Sequence, residues 1–88
     1  GAAFPAFYRA ELVISGEPAD TFLVLDGWVK GVVFVNGFNL GRYWNRGPQR
    51  TLYVPAPLLR VGKNEIMIFE LHDAGAAEIR FSDRAELG

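Results

Sequence analysis

Cysteine is absent from these 88 residues, histidine and methionine occur once each, and neither sign of charge prevails. Without cysteine, a domain this small is held by core packing alone or by its neighbours, not by disulfides. The same absence leans towards a reducing compartment such as the cytoplasm. A single histidine, His72, with no cysteine beside it, removes almost every zinc arrangement. Calcium has no clustered acidic loop to hold it. No cofactor is therefore expected. Nine basic and ten acidic residues leave a net charge of −1, which lacks the electrostatic footprint of a duplex nucleic-acid binder or a polybasic membrane patch. No apolar run reaches the length of a membrane span, and no charged-then-apolar signal segment opens the chain. No segment keeps a helical period.

Apolar residues, by contrast, are plentiful: half the chain, with 14% aromatic, which excludes disorder on composition. The densest stretch is Gly27 to Pro55, GWVKGVVFVNGFNLGRYWNRGPQRTLYVP, with both tryptophans and two of the three tyrosines. At its centre Asn36-Gly37 separates two β-rich runs. A type I′ hairpin turn needs positive φ at both central residues, and Asn-Gly supplies it at the lowest steric cost. This conformational role is the whole of what the sequence assigns to the pair. Around the hairpin, alternation predicts strands at Phe7–Ser15 and Glu78–Ser82, and β-rich or continuously apolar runs between turns predict strands at Asp20–Leu25, Val32–Val35, Phe38–Trp44, Thr51–Val54 and Glu65–Leu71. Pro57 is expected to open one helical turn through Leu58, Leu59 and Arg60, closed by Gly62. Turns are expected at Gly16-Glu17-Pro18, Asp26-Gly27, Asn45 to Pro48 and Asp73-Ala74-Gly75. Seven short strands with at most one helical turn predict an all-β, antiparallel β-sandwich or jelly roll. The chain is expected to form a single domain over 1–88, or the C-terminal portion of one, with 1–5 and 83–88 frayed.

Two strands are apolar on both faces. Alternation puts Met67, Phe69 and Leu71 opposite Ile66 and Ile68, and Val32–Val35 is continuously apolar. An antiparallel sheet with one face in water alternates apolar with polar. Another domain is therefore expected to cover some of the outer surface.

The run GWVKGVVFVNGFNLGRYWNRGPQRTLYVPAPLLRVGKNEIMIFEL resembles the C-terminal β-sandwich of the family 35 glycoside hydrolases, the β-galactosidases. The likeness extends over about Pro5 to Leu71, with Val29, Phe34 and Leu58 as slight departures from the family pattern. The resemblance implies a galactose-binding-domain-like jelly roll, accessory to a catalytic (β/α)8 barrel and other β-domains of the same parent chain. It also implies retaining hydrolysis of terminal β-linked galactose by two glutamates, neither of which lies in this segment. The expected role is a non-catalytic brace for the barrel that also lines its cleft; the alternative is an autonomous module that binds galactose.

Among individual residues, Glu11, Glu65, Glu70 and Glu78 are expected to be solvated strand positions. The odd separation of Glu65 and Glu70 sends them to opposite faces, so no catalytic pair is expected here. His72 is expected to be a surface turn residue. Trp28, Tyr43 and Trp44 are candidates for a platform on which the C–H face of a β-galactoside stacks, with Asn39, Arg42 or Asn45 bonding its hydroxyls. The competing expectation is that these aromatics pack in the core or against a domain. Strict alternation from Phe38 would place Phe38, Leu40, Arg42 and Trp44 on one face and Asn39, Gly41 and Tyr43 on the other, and a bulge at Gly41 would alter that. Lys30, Arg46 and Arg50 near aromatics also suit single-stranded nucleic acid, which the net charge opposes.

Overall fold

A computed structural model describes residues 5–45, 51–71 and 78–82. Seven strands run through them: β1 (Ala6–Ile14), β2 (Thr21–Asp26), β3 (Lys30–Val35), β4 (Phe38–Trp44), β5 (Thr51–Val54), β6 (Gly62–Glu70) and β7 (Glu78–Ser82). They form two antiparallel sheets, β1-β6-β3-β4 and β5-β2-β7. The chain is an all-β sandwich, as its short strands and the turns between them predict. The expected turns at Asn45–Pro48 and Asp73–Gly75, His72, Arg46, Arg50 and the terminal stretches 1–4 and 83–88 lie wholly or partly outside the described residues.

Inward positions supply the core. Leu23 and Leu25 of β2, Val33 and Val35 of β3, Val54 of β5, and Ile66 and Ile68 of β6 are buried, with Trp28, Tyr43 and Leu59 among them. From β1, Ala10, Leu12 and Ile14 pack against this cluster, the face assigned by alternation. The helical element among the described residues is a 3-10 turn at Ala56–Leu58, which begins one residue before Pro57 and ends two residues short of the expected Arg60. Pro55 is its N-cap, and Leu59 closes it by donating its amide to the Ala56 carbonyl at 2.9 Å. Gly62, with φ 93°, begins β6 rather than capping a helix.

The hairpin turn adopts the expected geometry, Asn36 at φ 50° and Gly37 at φ 82°. Its role is not conformational alone. The Asn36 side chain donates to the Leu58 carbonyl (2.8 Å) and to Asn64 Oδ1 (2.9 Å), and accepts from the Glu65 amide (2.9 Å). Asn64, fully buried, accepts from the Arg60 amide and donates to the carbonyls of Leu12, Arg60 and Gly62. Two amide side chains thus tie the hairpin, β1, β6 and the segment after the 3-10 turn together. Buried amides survive in a core only when so satisfied.

β4 departs from strict alternation. Val33 lies opposite Gly41 and Phe34 opposite Asn39, so Leu40 is an extra residue without its own partner, and Gly41 takes φ 134°. This bulge shifts the phase of the strand. Leu40 and Tyr43 both pack with the core, while Asn39, Arg42 and Trp44 share the outer face with Phe34, Val32 and Lys30.

That outer face of the four-stranded sheet is apolar along a row crossing three strands, Phe7–Phe69–Val32, flanked by Met67 and Phe34. Phe7 is 63% exposed, and its ring lies 4.6 Å from that of Phe69.

Candidate functional site

Where β3, β4 and β6 meet, an inward row of Tyr43, Gly31 and Glu70 crosses the sheet. Glu70 is completely buried, contrary to the expectation that it is a solvated strand carboxylate. The physical reason is a full set of donors. Its Oε1 accepts from the Val29 amide (2.8 Å) and the Tyr43 hydroxyl (3.1 Å), and its Oε2 from the Lys30 amide (3.1 Å). A buried carboxylate so bonded offsets much of its desolvation. Gly31 makes this contact possible. A Cβ there would run into the Phe69 carbonyl and approach the Tyr43 hydroxyl to 2.7 Å. Burial, and then the neighbouring Glu70 carboxylate, hold the Tyr43 hydroxyl far above the ordinary tyrosine range. The phenol therefore stays a donor.

Trp28 stands on the same inner side. Its indole N–H donates to the Glu78 carbonyl of the other sheet at 3.1 Å, and its ring meets Tyr8 edge-on at 5.0 Å and Tyr43 at 6.5 Å. By holding the amides of Val29 and Lys30, Glu70 fixes the segment leading from Trp28 into β3.

On the opposite side of the sheet lies an open hollow of about 830 Å³. Val32, Phe69 and Leu71 line it with Trp44, Lys30 and Arg42. Trp44 is 43% exposed, and the Lys30 ammonium sits 5.4 Å from the centre of its ring, a cation–π contact. Among the described residues no carboxylate lines the hollow. An indole edge, an apolar floor and two cations can contact the C–H face of a ring and hydrogen-bond acceptors at its rim.

The six candidate sugar-contact residues thus divide. Trp28 and Tyr43 belong to the core, and Asn39, Arg42 and Trp44 to the outer face. Asn45 follows β4, its amide bonded to the Val29 carbonyl at 2.8 Å.

The carboxylates separate as their spacing predicts: Glu65 faces outward and Glu70 inward. Register adds a pair that spacing could not find, since Glu11 lies directly across from Glu65. Both are exposed, and Glu65 bridges Arg9 at 3.2 Å. They lack the buried setting that pushes an acid and a base apart. Among the described residues no three acidic, histidine or cysteine side chains gather as metal ligands would.

Glu70 and Asn64 were missed as inward residues, although one signal pointed to them. Asn64, Ile66, Ile68 and Glu70 share parity on β6, so the face that buries the isoleucines must bury both polar ends.

The family model described as "Beta-galactosidase, galactose-binding domain" matches residues 5–64. Human Beta-galactosidase-1-like protein 2 is 56% identical over 84 residues, covering 96% of this chain and 13% of that protein. Beta-galactosidase 8 of Oryza sativa subsp. japonica is 56% identical over 71 residues, 77% of this chain and 10% of its own. Beta-galactosidase 1 of Dictyostelium discoideum is 53% identical over 68 residues, 75% and 10% respectively. The chain therefore spans only about a tenth to an eighth of the length of these relatives.

Proposed function

The chain belongs to the galactose-binding domain family of beta-galactosidases, and on that premise we propose that it is a non-catalytic C-terminal sandwich of a family 35 β-galactosidase. In this reading it braces the catalytic (β/α)8 barrel and neighbouring β-domains and lines the rim of the substrate cleft. Retaining hydrolysis of terminal β-galactosides is the work of two glutamates elsewhere in the larger polypeptide. The observation that carries the proposal is the outer face of the four-stranded sheet. Its Phe7–Phe69–Val32 row, with Met67 and Phe34 beside it, is a contiguous apolar surface of the kind that marks an interface. Hydroxyl-radical footprinting tests it. Phe7 and Trp44 should be protected in the full-length enzyme and labelled in the excised 88 residues. Equal labelling in both would remove the brace.

A second reading, an autonomous carbohydrate-binding module, is favoured by the hollow beside Trp44. A galactose or lactose titration followed by tryptophan fluorescence tests it directly. Trp28 is buried and Trp44 exposed, so a saturable change that disappears in Trp44→Phe would support sugar binding at that position. A flat titration would leave only the brace.

A further inference from the structure

Lys30 and Arg42 are outward neighbours, opposite Trp44 and Val32 on the β3–β4 ladder. Neither enters an ion pair among the described residues, where the bridges are Arg9–Glu65 and Arg80–Asp26. Among the described residues the hollow they line has no carboxylate of its own. Its floor continues through Phe69 into the apolar row that ends at Phe7. A purely apolar partner laid over this surface would strip water from two cations and return nothing, a large cost. Whatever covers the face must therefore bring negative charge to its β3–β4 end and apolar side chains to the rest.

Building on the brace reading above, we propose that the occupant is a segment of the same larger polypeptide. It lays apolar side chains along Phe7, Phe69 and Val32, and sets an aspartate or glutamate carboxylate against Lys30 and Arg42. Charge complementarity requires the carboxylate. The breadth of the face favours a protein segment over a sugar, because the apolar row crosses three strands and extends beyond the hollow. The relatives carry roughly nine-tenths of their length outside this region, and a covalently linked segment meets the face at high effective concentration. The other end of the outer face carries both signs of charge, with Arg9 bridged to Glu65 and with Glu11 and Lys63 beside them, whereas the β3–β4 end presents cations alone among the described residues. A lone carboxylate is therefore best matched at the β3–β4 end.

The test is zero-length carbodiimide coupling of the full-length protein, which joins an amine only to a carboxylate in contact with it. It is read by peptide mass spectrometry alongside the footprint of Phe7 and Trp44. The expected result is an amide bond between Lys30 and an Asp or Glu outside the 88 residues. Lys30→Arg, which keeps the charge but offers no amine, should lose that bond and retain the footprint. Arg42→Gln should weaken the bond's yield. Lys63, exposed on β6, serves as the freely acetylated reference. If Phe7 and Trp44 are protected but Lys30 stays unlinked and is acetylated as fast as Lys63, the carboxylate anchor is overturned and the brace stands. If neither aromatic is protected, both readings fall. If Lys30 is shielded only on adding galacturonate or a sulfated galactose, the hollow is a site for acidic sugars and the anchor is overturned.

Discussion

Replacing Glu70 is the sharpest test of how this sandwich is held. Among the described residues its carboxylate accepts from three donors, two of them backbone amides entering β3. Hydrogen bonds to a charged group contribute about 1.5–3 kcal/mol each. Three such bonds would approach the whole stability of a domain this size, about 4–13 kcal/mol on the per-residue scale. Burying the carboxylate takes back several kcal/mol, so the net contribution is smaller than that sum. Removing the acceptor leaves buried donors unsatisfied, at about 1–3 kcal/mol for each. Glu70→Leu should therefore leave the domain marginal or unfolded. Glu70→Gln, which keeps one acceptor oxygen and turns the other into a donor, should cost about 1.5–3 kcal/mol. Tyr43→Phe removes only the hydroxyl and should cost about 1–2 kcal/mol. The two milder variants and their double mutant form a cycle, with urea midpoints followed by the fluorescence of buried Trp28. A coupling between about 0.5 and 3 kcal/mol is expected for groups in direct contact. The reasoning is refuted if Glu70→Gln unfolds within about 0.5 kcal/mol of the parent at an unchanged m-value, the range of an ordinary surface substitution.

Gly31→Ala should destabilise by at least about 1–3 kcal/mol, because its methyl group overlaps the Phe69 carbonyl and displaces the Tyr43 hydroxyl; chemical denaturation measures it. Asn36→Gly keeps the hairpin's backbone conformation and deletes three side-chain bonds, so a loss of about 1–3 kcal/mol separates the strap from the turn. Asp20 accepts from the Ala56 amide and the Tyr53 hydroxyl, and these bonds hold its carboxyl below the usual value of 3.8. Its contribution is present above that value and lost as pH falls through the lower folded-state pKa, so Asp20→Asn should flatten the acid limb of a stability–pH curve. Tyr43 works the other way. Its raised pKa makes its contribution complete below about 10 and progressively lost above it, and absorbance titration should find one phenol that ionises only on unfolding.

Local chemistry decided much of this protein in advance. Alternation of period two placed β1 and β7 and the inward side of β1, and β-rich apolar runs between turn residues placed the other five strands, because both patterns are properties of successive residues. Asn36-Gly37 determined the hairpin through backbone sterics, and the double-sided greasiness of β3 and β6 announced an apolar outer face before any sheet was assembled. The residues that resemble the β-galactosidases carried the family. Tertiary structure alone decided what depends on partners distant in sequence. The bulge at Leu40-Gly41, which Gly41 left open as a possibility, turns Tyr43 inward and gathers Asn39, Arg42 and Trp44 outside, and pairing with β3 decides it. A carboxylate looks solvated until Val29, Lys30 and Tyr43 converge on it, as they do on Glu70. Asn36 gained its second role in the same way, since its amide bonds reach across 22 to 29 residues of chain. Hydrogen bonds and burial act through space, and one residue's pattern along the chain cannot name who will stand beside it.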